Sequence, residues 1–81
     1  MMLSVGSLVR AKAGRDKDKF FLVKDVSEGF AYICDGKRRK LTNPKKKNLI
    51  HLELTNTIAE DSMDTDRKIR KFLSEYTQKS L

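Results

Sequence analysis

Seven cations fall within eleven positions of the stretch DGKRRKLTNPKKKNLIHL: Lys37, Arg38, Arg39, Lys40, Lys45, Lys46 and Lys47. No carboxylate interrupts them. A cluster of this kind repels itself unless a polyanion neutralises it, so the chemistry to expect is phosphate binding. A second set, Lys12, Arg15, Lys17 and Lys19, surrounds Gly14 in VGSLVRAKAGRDKDKFFLVKDV. Gly14 admits backbone conformations closed to other residues and lets the main chain approach a phosphate, while its neighbours supply charge. Asp16 and Asp18 offset the cations of this loop, which makes the lysines downstream the stronger attractor.

Catalytic groupings are poor by comparison. His51 is the single histidine and Cys34 the single cysteine, too few soft ligands for a zinc site. Cys34 lies in the apolar run FAYIC, where it reads as a small buried hydrophobe, and His51 reads as a surface or edge residue. Asp61, Asp64 and Asp66 lie near the start of a helix, where the dipole accounts for them better than acid-base or metal chemistry. With no nucleotide-binding loop either, the expectation is a protein that is not an enzyme and needs no metal or cofactor. Phe20, Phe21, Phe30 and Tyr32 belong mostly to the core, with Phe20 or Phe21 the better candidate for an exposed ring that a base could stack on.

The formal charge of +7 creates a field that attracts polyanions, and it is unevenly placed. Residues 1–54 hold 13 Lys or Arg against 6 Asp or Glu, whereas residues 55–81 hold 5 of each. Nothing approaches the roughly 20 apolar residues of a membrane-spanning helix. The start, MMLSVGSLVR, does not read as a secretory signal, so a cytoplasmic location is expected.

The elements that must position these groups follow from punctuation. Short apolar runs separated by turn residues predict strands over Leu8–Lys12, Phe20–Val26, Phe30–Cys34, Arg39–Leu41 and Leu49–Leu54. Asp35-Gly36 is the strongest hairpin signal. Beyond Leu54 the pattern changes: Ile69, Phe72, Leu73 and Tyr76 share one face of a helix over residues 64–79. Asp64 or Thr65 can cap it, and Lys79 places a cation at the end where cations are favoured. Residues 55–63 read as a linker. The apolar stripe of the helix needs either the barrel or a partner to cover it, and a linker long enough to let the helix stand away favours a partner or a second copy.

Four segments resemble KOW-domain RNA-binding proteins: Gly6 through Val9, AKAGRDK, FFLVKDV, and YICDGKRRKLTNPKKKNLIHL. They are similar to the SH3-like KOW domain of archaeal and eukaryotic large-subunit ribosomal proteins and of short bacterial proteins related to them. The resemblance implies an SH3-like β-barrel over residues 1–54 that contacts ribosomal RNA. In one place the pattern departs: where the family usually has a second glycine after the basic residue, this chain has Asp18.

The expectation is therefore a mainly β protein, a small SH3-like barrel followed by a C-terminal α-helix, binding RNA through phosphate contacts. Lys12, Gly14, Arg15, Lys17, Lys19, Lys37, Arg38, Arg39, Lys40, Lys45, Lys46 and Lys47 are the candidate contacts. The alternative is a protein-interaction adaptor docking on the ribosome or RNA polymerase, with the helix meeting a ribosomal protein or another copy.

Overall fold

The runs SLV, FFLV and IC put apolar side chains on successive residues, so an extended strand points them to both sides and both sides need cover. The computed structural model describes residues 3–79, without the side chain of Lys79, so the expected Lys79 charge effect lies outside the described residues. It contains strands β1 (Ser7–Ala11), β2 (Phe20–Ser27), β3 (Phe30–Cys34), β4 (Lys45–Asn48) and β5 (Leu52–Ile58), then helix α1 (Asp66–Lys79). All ladders are antiparallel and the order across the sheet is β4-β3-β2-β1-β5.

Strands β4 and β5 lie at opposite margins, yet a single 3₁₀ turn, Leu49–His51, joins them. In a flat sheet the margins of five strands would stand about 19 Å apart. The four-residue step from Asn48 to Leu52 reaches about 14 Å at most. The sheet must therefore curl, helped by register shifts between Ser7 and Val9 and between Val23 and Asp25. It does not close. The turn bonds to other partners, Leu49 N–H to Gly29 O at 3.1 Å and His51 O from Lys12 N–H at 2.8 Å, and among the described residues no ladder joins β4 to β5. The mainly β fold followed by a C-terminal helix is as expected, with the sheet curled but left open where a closed barrel would pair β4 with β5.

Two of the expected segment assignments also change. Arg39–Leu41 is not a strand, because the Asp35 carboxylate accepts the amides of Lys37 (2.8 Å) and Arg39 (2.9 Å) and folds the segment into a local loop. The fourth strand is the lysine run instead. Residues 55–58, expected as linker, continue β5: Ile58 pairs with Ser7, and Thr55 Oγ1 donates to Leu8 O at 2.7 Å beside the bulge.

Inside the curl, Val9, Ala11, Phe21, Val23, Ala31, Ile33 and Leu52 form one core. On the outer side Leu8, Leu22 and Cys34 form the floor of a second, and Ile69 and Leu73 of α1 cover it, flanked by Phe20, Leu41, Met63, Phe72 and Tyr76. Of the two covers open to the helix, the sheet is the one it takes, not the partner that the linker length favours. Covering Ile69 and Leu73 alone contributes about 3–6 kcal/mol at the usual 1.5–3 per side chain. Thr65 Oγ1 caps α1 by accepting the Lys68 amide (3.2 Å), and Asp64 pairs with Lys68 at 2.9 Å. Asp66 reaches away from the helix to accept the Leu41 amide at 2.8 Å.

Candidate nucleic-acid interface

The β1–β2 loop is held at its neck by Asp18 N–H to Ala11 O (2.8 Å) and Ala11 N–H to Lys19 O (2.9 Å). Its turn requires left-handed backbone at Gly14 (φ 80°) and at Asp18 (φ 71°), the one non-glycine residue with positive φ among those described. Asp18 thereby adopts a conformation that glycine takes freely, and its carboxylate pairs with Arg10, which also holds Glu53 at 3.1 Å. The Arg10 hydrogen bond keeps the Glu53 carboxyl below its ordinary range.

The β3–β4 loop is anchored elsewhere, on the helix. Gly36 is buried at the start of α1 with φ 77°, and Arg70 Nη1 donates to its carbonyl at 2.8 Å. Asp66 holds Leu41 further along. Between these clamps Lys37, Arg38, Arg39 and Lys40 are displayed, with Arg39 half-buried and the other three exposed.

In β4 the alternation of an extended chain splits the lysine run. Lys45 Nζ bonds Asp16 Oδ2 at 2.8 Å and Lys47 Nζ donates to Ala13 O at 3.2 Å, both toward the β1–β2 loop. Lys46 Nζ lies 4.3 Å from the centroid of the Phe30 ring. The expectation that no carboxylate offsets this run is therefore wrong in space. Asp16, distant in sequence, neutralises Lys45, and that hydrogen bond, with the charges of Lys47 and Arg39, holds the Asp16 carboxyl below the usual range.

The two loops meet. Arg15 and Lys19 from one and Arg38 and Arg39 from the other line a notch of about 120 Å³, together with Asp16, Asp35 and Lys45. Cations outnumber carboxylates there, and both carboxylates are engaged, Asp16 by Lys45 and Asp35 by amides. No carboxylate lies within ion-pair distance of Arg15, Lys19, Arg38 or Arg39 among the described residues. Such unneutralised groups are free to pair with phosphate.

Other candidates fall outside the notch. Lys12 is exposed at the end of β1, Lys17 at the tip of its loop, Lys40 beside the turn to Asn43, and Lys46 above Phe30. Gly14 is exposed, and a Cβ built there would stand 3.6 Å from the Lys47 ammonium. Lys37 borders a second hollow together with Arg70 and Phe20. Sequence reasoning misses Arg70 because it expects the helix to stand away. The signal that could have found it is the continuous apolar run FFLV, whose outer face calls for a cover.

Comparison with protein-family models and with curated proteins finds no match. Among the described residues no helix is long and apolar enough to cross a membrane.

Proposed function

We propose that this protein binds structured RNA, with ribosomal RNA the target that the KOW resemblance implies, through phosphate contacts from its two basic loops. The observation that carries this reading is the meeting of Arg15 and Lys19 with Arg38 and Arg39 around one notch, without carboxylate partners among the described residues. Guanidinium groups suit phosphate because their fork of donors matches two oxygens at once. Left-handed backbone at Asp18, where the KOW pattern leads one to expect glycine, supports the same loop geometry. Shape rather than base identity governs such contacts. The role is one of binding, with no catalytic step assigned, and a cytoplasmic location accords with it.

The test is fluorescence anisotropy of a structured RNA against salt concentration. Neutralising about four to six phosphates gives a log-log slope of about −3 to −5. Replacing Arg38 and Arg39 with glutamine should lower the affinity and make the slope shallower by about 2, one for each phosphate left without its arginine. Replacing Lys45, already paired with Asp16, should change it less. Affinity that ignores salt, or a strong preference for duplex DNA, would overturn the proposal.

A further inference from the structure

Lys19 and Asp35 border not only the notch but a larger trough of about 420 Å³ between the two loops and α1. The trough is therefore contiguous with the phosphate-binding notch, and its size falls in the range of about 300–1,000 Å³ typical of small-ligand sites. Its makeup differs from that of the notch. Phe20 and Leu73 give it an apolar lining, Ser74 and Thr77 add hydroxyls from one face of the helix, and Lys19, Lys37 and Arg70 add positive charge.

Each group is fixed or available. The Phe20 ring is half-buried and set by an edge contact with Tyr76, centroids 5.2 Å apart at 60°. Arg70 spends one N–H on Gly36 O and retains the others of its fork. Thr77 Oγ1 donates within the helix at 3.0–3.1 Å, which leaves its oxygen able to accept, and the Ser74 hydroxyl has no partner among the described residues. The carboxylates on the rim, Asp18 and Asp35, are satisfied by Arg10 and by the amides of Lys37 and Arg39.

We infer that the trough takes one unpaired nucleotide of the bound RNA, its base against Phe20 and its phosphate among Lys19, Lys37 and Arg70. The inference rests on the RNA-binding reading above. A base within a duplex is stacked and paired and cannot enter, whereas a bulged base offers a face to an aromatic ring and its edges to hydroxyls. The helix then belongs to the RNA-binding surface, because it supplies one wall of the site.

The experiment compares two RNA hairpins of the same stem, one fully paired and one with a single unpaired fluorescent aminopurine. The full chain should bind the bulged hairpin about fivefold or more tightly, the low end of what one base gains on an aromatic ring, and should change the aminopurine emission. Phe20→Leu and, separately, Ser74→Leu, which fills the trough from an exposed helix position, should bring that ratio close to one. Both variants should hold the paired hairpin within about threefold of the parent protein, since the notch is intact. Equal, salt-dependent binding of both hairpins by the parent protein overturns the trough and leaves the RNA reading standing. A bulge preference that survives both substitutions also overturns it. Salt-independent or absent binding of both hairpins overturns the two together.

Discussion

Replacing Gly36 with alanine tests the packing that holds the β3–β4 loop against the helix. A Cβ there would overlap the backbone oxygen of Asp66 and stand 2.9 Å from Arg70 Cγ, at a φ of 77°. The left-handed backbone alone costs an alanine about 1–2 kcal/mol. The overlap is with main chain, so no rotamer relieves it. Either the helix shifts, at the roughly 1–3 kcal/mol typical of overpacking, or the loop lifts and gives up the bonds from Arg70 to Gly36 and from Leu41 to Asp66. Together the terms come to about 2–5 kcal/mol, a large part of the roughly 4–12 expected for 81 residues. Gly29 is the control: its φ is 80° but nothing lies within 4 Å of its Cβ position, so alanine there meets the backbone term alone. Urea unfolding followed by circular dichroism should place the Gly36→Ala midpoint about 1–2 M below that of Gly29→Ala. Equal losses in the two variants would refute the packing of this loop on α1.

Three further outcomes follow from local chemistry. The Lys45 hydrogen bond lowers the Asp16 carboxyl, so the stability it contributes is present above the unfolded value near 4 and lost as pH falls through the lowered folded value. Asp16→Asn should flatten the acid limb of urea midpoint against pH, by about 1 kcal/mol for this half-buried single pair. Burial pushes the Cys34 thiol up to about 11. A thiol reagent should therefore label it at mildly alkaline pH only as fast as the protein opens, and rapid labelling without denaturant would contradict its place beneath the helix. Asp18→Gly relieves a left-handed aspartate and removes an exposed ion pair to Arg10, so stability should stay within about 1 kcal/mol. Its RNA affinity should rise about two- to threefold at low salt and converge with the parent protein at high salt, read by anisotropy.

Strands β1 to β3 and the helix are legible in the sequence because hydropathy and turn residues mark them: Phe30–Cys34 is reproduced residue for residue, and α1 begins two residues after Asp64. Strand β4 is not legible, since KKKN has neither alternation nor apolar content. It exists through pairing with β3, from Phe30 opposite Asn48 to Ile33 opposite Lys45. The basic loops can be read from sequence, but not which of their cations remain available, because Lys45 and Asp16 meet across 29 residues. Docking of the helix is written in the uninterrupted SLV and FFLV runs, whose outer faces need cover, but the length of the segment before the helix points the other way. Following that length hides Arg70 and the trough as well.

The lysines of β4 have a consequence beyond charge. β4 is a marginal strand whose outer side carries no neighbour in the sheet among the described residues. Unpaired amides and carbonyls at such a margin are a template for another chain to extend the sheet, and lysines there make the approach of a like strand repulsive. Trimming Lys45, Lys46 and Lys47 to alanine would remove this guard along with the cations. Glutamine would not restore it, because it lacks the repelling charge and its amides can bond from one strand to the next, so a variant weakened at these positions is read as having lost its ligand only when it remains a monomer.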